Sequence, residues 1–352
     1  MVNGKWLNGK WLKDWALPLS MLTGASAYFL CRSLELPEAV KGAAVESVGY
    51  VQPVLIFCML TLTFCRIRLE DMRLRGWQWW LLAFQAGIAA LLCLFHQAEG
   101  CWECCVGNAT YGTRYYLNLV AEDPSMRVFL QSTMLCFLCP TATAAAVVTA
   151  KLGGNVGSLT AYTMLINLTA AVLISAFVPL VNPAGELSFW LSFWLIIRRV
   201  FPLLIFPLFL ALGIRRISPA LLRRLTSIPD LPFYLWLVSL SLAIAVTTRI
   251  LVHADVTWQL CLLILTGSLA ACIMQFAFGR LVGRHYGEGV TAGQACGQKN
   301  TVLAIWVGYT FLDPLTSVAG GFYTIWHNLF NAWQLYRRTR RQAQLDTSTR
   351  TT

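Results

Sequence analysis

Charge is scarce in this chain. Only 12% of its 352 residues are Asp, Glu, Lys or Arg, the acids number 16 and the histidines four. With 57% hydrophobic residues and a mean hydropathy of +0.61, the composition is too apolar for a soluble domain of this size to bury. Its fitting solvent is lipid. Alternating apolar and polar segments of the kind that membrane barrels use are absent, which leaves helices as the way to satisfy the backbone in hydrocarbon. The apolar runs also lack a carboxylate pair, a Cys/His zinc spacing and a helix with paired histidines. An enzyme is therefore not expected, and no cofactor or metal is implied.

What is there is a series of apolar runs of about twenty residues, the length that crosses roughly 30 Å of hydrocarbon. Ten are readable, at 15–31, 47–65, 79–96, 128–150, 157–181, 189–212, 231–252, 258–279, 289–312 and 314–336. The expected fold class is an all-α membrane protein of ten transmembrane helices.

The net charge of +11 raises the question of nucleic acid, but the cations are in the wrong places for it. Lys5, Lys10 and Lys13 precede the first run. The even-numbered connections hold Arg66, Arg68, Arg73 and Arg75, then Lys151, then Arg215, Arg216, Arg223 and Arg224, then Arg280 and Arg284, and Arg337, Arg338, Arg340, Arg341 and Arg350 follow the last run. Nineteen of the 27 cations thus share one side, whereas Arg32, Lys41, Arg114 and Arg127 lie on or near the other. By the positive-inside rule both termini face the cytoplasm, as expected for a protein of a bacterial inner membrane. The lipid bilayer is the expected partner, and nucleic acid is not. The segment Asn-Gly-Lys-Trp-Leu occurs twice before residue 13, and Trp6, Trp11 and Trp15 with their lysines read as an interfacial anchor, with an amphipathic helix as the alternative and no cleavable signal expected.

Nine of the twelve cysteines lie in or at the ends of apolar runs, where cysteine acts as a small hydrophobe. Cys101, Cys104 and Cys105 occupy the longest polar connection, about 97–127, which the charge pattern places outside. A disulfide there and an incidental cluster are both open readings. The sequon at Asn108 matters only in a glycosylating host.

Two runs break the rules of a transmembrane helix. The fourth contains Pro140 and ends in Gly153, Gly154 and Asn155; the ninth contains Gly293, Gly297, Gln298, Lys299 and Asn300. They are the fourth runs of two successive five-run halves, 1–185 and 186–336, followed by a basic tail at 337–352. An odd number of spans per half makes the halves inverted in the membrane. Interrupted helices at matching positions of inverted repeats point to a midplane binding site in a secondary transporter. The plainer reading is that such glycines let helices pack closely.

The residues of these runs carry a resemblance. Cys139-Pro140-Thr141-Ala142-Thr143-Ala144, Val147-Val148-Thr149 and Gly154-Asn155-Val156 resemble the fourth helix of the bile acid:sodium symporter family. Gly297-Gln298-Lys299-Asn300-Thr301-Val302-Leu303 is similar to its ninth, Gly-x-Gln-Asn-x-x-Leu, and Phe322 to Leu329 is similar to its tenth. Three motifs in order within a ten-run pattern identify a divergent, bacterial-type member. The resemblance implies a panel domain from spans 1, 2, 6 and 7 and a core domain from the rest, with broken helices 4 and 9 crossing near the midplane. It implies transport of a small organic anion by alternating access. It places Asn300 and His327 on the substrate route, with Lys299, Gln298, Thr143 and Thr149 at or near the crossover and Gln85 as a weaker candidate.

The departures matter as much. Where the family has sodium ligands this chain has Ala295, Ala145-Ala146, Lys299 and Leu159, and of that neighbourhood only Thr163 is retained. Methyl groups cannot replace hard oxygen donors. Sodium is therefore doubtful as the coupling ion, and Lys299 is expected to take the place of a bound cation, which leaves a proton or simple uniport as the alternatives. Arg198 and Arg199, within the sixth run, either face an anion-filled cavity or snorkel to headgroups, whereas Arg249 reads as snorkelling. A non-transporting sensor or binding protein on the same fold stays open, because fold does not fix function.

Overall fold

A backbone with no water to bond to must bond to itself, and this chain does so as helix almost throughout. The computed structural model describes residues 9–34, 37–66, 74–96, 124–182, 187–228, 231–253 and 257–350. These form thirteen α-helices and one 3-10 turn, with no strand among the described residues. In chain order they are α1 (Gly9–Ser33), α2 (Glu38–Arg66), α3 (Gly76–His96), α4 (Pro124–Leu138), α5 (Ala145–Lys151), α6 (Val156–Val181), α7 (Phe189–Ile217), α8 (Pro219–Ser227), α9 (Leu231–His253), α10 (Trp258–His285), α11 (Gly289–Gly297), α12 (Thr301–Phe311) and α13 (Ser317–Arg350). The loop with Cys101, Cys104 and Cys105 lies outside the described residues.

Six helical segments are long and apolar enough to cross a membrane: Glu46–Arg66, Gly76–His96, Val156–Val181, Phe189–Ile217, Leu231–His253 and Trp258–His285, with mean hydropathies of 1.7 to 2.2. Their outward faces are apolar as well. Trp79, Trp80, Leu94, Trp190, Trp194 and Phe209 are each more than half exposed, an arrangement that water would penalise and acyl chains favour. The chain is thus an all-helical protein built for a membrane. Each of the ten apolar runs falls on a helix or on an interrupted pair, α4–α5 for the fourth and α11–α12 for the ninth.

Two differences from the sequence reading concern ends and connections. The last helix does not stop near 336 but continues as one element through the expected tail to Arg350, 34 residues or about 51 Å. Between the sixth and seventh runs lies α8, a short helix capped by the Ser218 side chain, which accepts from the Leu221 amide. Neither is apolar enough to announce itself in a hydropathy reading.

Packing sorts the helices into two groups. In one, α1 lies on α9, and α2 packs on α7 and α9. Ser20 and Gly24 bring α1 close: Ser20 Oγ donates to Leu237 O at 2.6 Å, and Ser241 Oγ returns a bond to Ser20 O at 2.9 Å. Small residues one turn apart allow this approach, and hydroxyls then serve as interhelical glue. In the other group α3 packs on α4 and α6, and α10 on α4, α11 and α13. Gly279 and Gly283, one turn apart on α10, sit so close to Ala292 of α11 that a side chain at either would collide with it. The two groups meet chiefly through α6 on α7 and α12 on α2.

Candidate functional site

Pro140 has no amide proton and its ring crowds the carbonyl of the residue four back, so α4 ends at Leu138. The chain runs irregularly to Ala144 before α5 begins. On the other side α11 ends at Gly297, and Asn300 starts α12, its side chain accepting from the Leu303 amide at 3.2 Å. The two breaks meet. Thr141 and Lys299 form an antiparallel bridge, flanked by Ala142 N donating to Gln298 O and Asn300 N donating to Pro140 O, both at 2.8 Å.

Interrupting a helix leaves carbonyls without donors, and in a dry interior each must find another. Cys136 O, whose helical donor would have been residue 140, accepts from Gln275 Nε2 at 3.2 Å. Phe137 O accepts from Lys299 Nζ at 3.3 Å. Across the bridge Ala295 O accepts from Thr141 Oγ1 at 2.6 Å, and Gly297 O from the Tyr323 hydroxyl at 2.8 Å. Gln275 also donates to the Tyr323 oxygen at 3.0 Å, so one α10 amide and one α13 phenol support both breaks.

Lys299 is the unusual member. It is 1% exposed, and its ammonium faces the C-terminal end of α4, where the helix dipole is negative. The thiols of Cys136, Cys139 and Cys296 lie within electrostatic range, and no carboxylate pairs with the lysine among the described residues. Gln298, Asn300 and His327 are likewise under a tenth exposed, so the crossing is closed to water. His327 on α13 stands edge-on to Tyr323 at 5.7 Å, and among the described residues neither its Nδ1 nor Gln298 Oε1 has a partner.

The remaining expected residues are distributed around this centre. Thr149 is buried on α5 with an unpartnered hydroxyl, and Thr143 is half-buried in the break before it. Gly153, at φ +69°, and Gly154 turn the chain after α5, and Asn155 caps α6 through a bond from Ser158 N at 3.1 Å. Gly293 lies inside α11 rather than at its break and gives room to the Arg280 side chain. Gln85 of α3 donates to the Tyr162 hydroxyl at 2.9 Å and reaches Cys296 Sγ at 3.5 Å. Arg198, Arg199 and Arg249 are exposed on α7 and α9.

Three of the positions that the resemblance assigns to sodium bring no side-chain oxygen. Ala145, Leu159 and Ala295 belong to one buried apolar cluster with Trp77, Leu81, Tyr162 and Ile166, whereas the Thr163 hydroxyl, which donates to Leu159 O of its own helix at 3.0 Å, is an oxygen beside it. A cation that prefers several oxygen donors meets methyl groups there.

Sequence reasoning missed several participants. Gln275 and Tyr323 are polar residues inside apolar runs, and Tyr323 also lies within the Phe322 to Leu329 stretch, signals that named no role for either. Asn167 of α6 is 1% exposed, and neither amide atom has a partner among the described residues. Glu288, at the start of α11, ties three elements together: it accepts from Trp77 Nε1 at 3.0 Å, Ser158 Oγ at 2.5 Å and Asn155 Nδ2 at 3.2 Å, and pairs with Arg75 at 3.6 Å. No family model matches the chain, and no curated protein matches it.

Proposed function

We propose that this chain is a secondary transporter of a small organic anion, working by alternating access in a bacterial inner membrane with both termini cytoplasmic. On this reading the ten runs are ten spans in two inverted five-helix repeats. The group of α1, α2, α7 and α9 forms the panel domain, and the remaining spans form the core, as in bile acid:sodium symporters. The observation that carries the reading is the pair of interrupted helices joined at their breaks, with a buried ammonium between them. Polar backbone at membrane depth is tolerated where it is buried in protein or lines a cavity, and in transporters such breaks serve substrate and coupling ion.

In this mechanism the panel and core groups rock against each other and expose the crossing alternately to each side. Lys299 supplies the positive charge that an anion seeks. Gln298, Asn300 and His327 offer amide and imidazole groups for its polar atoms. With the sodium positions apolar, the lysine fills the role of the coupling cation, and transport is sodium-independent. A proton carried by Lys299 or plain uniport completes the cycle.

The test begins with thermal unfolding of the purified protein against steroid, keto-acid and sulfonate anions, since a ligand of the native state raises its midpoint. The anion with the largest shift is then offered to proteoliposomes. Uptake against empty vesicles supports transport. Binding without uptake returns the chain to the non-transporting sensors and binding proteins.

A further inference from the structure

Met274, Ala277, Leu281 and Arg284 follow one another on α10 at spacings of three and four, so they form a single stripe along its outer face. Beside the stripe lies an open groove of about 590 Å³ between α3 and α10, lined also by Phe84, Phe278 and Arg280. Phe84 and Phe278 stack within it, ring centroids 3.9 Å apart and planes at 14°. From Met274 to Arg284 the helix rises by about 15 Å, half the hydrocarbon thickness, so the groove spans one leaflet. It is apolar along its length and basic at its end.

Among the described residues that basic end has no counter-charge. Arg284 and Arg337 each lie within electrostatic range of Arg280. Arg280 is held by Gln334 Oε1 and stands 5.9 Å over the Phe330 ring, and Arg337 stands 4.9 Å over Trp333. None of the three pairs with a carboxylate among the described residues, and Glu288, the acid nearest to Arg280 and Arg284 along the chain, is engaged by Arg75, Trp77, Ser158 and Asn155. Guanidinium groups set side by side at the edge of hydrocarbon repel one another unless an anion comes between them.

We propose that this groove is a binding site for one anionic phospholipid, its acyl chain along the Met274, Ala277 and Leu281 stripe and its phosphate on Arg280 and Arg284, with Arg337 adding to the field. Basic pockets between transmembrane helices take anionic headgroups in this way. The stem of the ligand is needed as much as its charge, which commits the site to a lipid rather than to free phosphate. The site requires only that the chain is embedded in a bilayer, so it stands or falls independently of transport.

The experiment is native mass spectrometry of the full chain, delipidated and then incubated with equimolar phosphatidylglycerol and phosphatidylcholine. Wild type is expected to retain phosphatidylglycerol in preference. The double variant Arg284→Gln, Arg337→Gln, which touches nothing at the helix crossing, is expected to lose about tenfold of that preference. Ala277→Trp, an exposed position that fills the groove, is expected to release the lipid while leaving the arginines intact, and serves should the double variant not fold. Equal retention of the two lipids by wild type would overturn the proposal. So would undiminished preference in a folded variant, or displacement of phosphatidylglycerol by millimolar inorganic phosphate.

Discussion

At the scale of single residues, the crossing depends on a few side chains with no substitute nearby. Asn300 has two tasks, since its side chain caps α12 while its backbone amide bonds Pro140 O. Removing the cap in Asn300→Ala costs about 1 kcal/mol, too little to unfold the protein. His327→Ala removes a ring whose Nδ1 has no partner among the described residues, so its loss strands no described donor or acceptor at that atom. Both variants are expected to purify folded and to lose transport. Circular dichroism and gel filtration check the first expectation, vesicle uptake the second, and normal uptake by both would remove them from the substrate route. The legibility of these residues follows from chemistry. Pro140, Lys299 and Asn300 are visible in the sequence because each is costly inside a lipid-embedded helix. Gly293 looks like a break for the same reason and is not one, because a glycine in α11 also makes room for Arg280. One residue type answers two different needs, and spacing alone cannot separate them.

At the scale of elements, each interrupted helix is held by a partner that no local pattern reveals. Tyr323 reaches a carbonyl 26 positions away along the chain and Gln275 one 139 positions away. Such pairings follow from how α10 and α13 pack around the breaks, which is tertiary information. The existence of the breaks is legible, and what satisfies them is not. Tyr323→Phe keeps the ring but deprives Gly297 O of its donor and Gln275 of an acceptor. A buried group left unpaired costs about 1–3 kcal/mol, so the variant is expected to unfold at a lower temperature in detergent. An unchanged midpoint would mean that the hydroxyl does not support the crossing. The extension of α13 to Arg350 and the short α8 escaped the sequence reading for a simpler reason: a polar helix carries no hydropathy signal.

At the scale of the whole molecule, apolar runs and the placement of cations give the class and the proposed orientation. Impermeant thiol reagents applied to intact cells, after reduction, are expected to label the cysteines of the 97–127 connection but not a cysteine introduced by Ser218→Cys. The opposite pattern would invert the topology. Ala295, Ala145 and Leu159 are buried together against Trp77 and Tyr162 and bring no side-chain oxygen there, which on the proposed reading makes uptake independent of a sodium gradient. The central claim is that Lys299 holds the place of the coupling cation. It meets its most direct test in proteoliposomes loaded with wild type or Lys299→Gln, measuring uptake of the best-stabilising anion with sodium present or replaced by choline. Wild-type uptake is expected to be the same in both media and to fall at least tenfold in the glutamine variant, about 1.4 kcal/mol or more of lost stabilisation. Strict dependence of the wild type on sodium, or full activity of Lys299→Gln, would contradict the account.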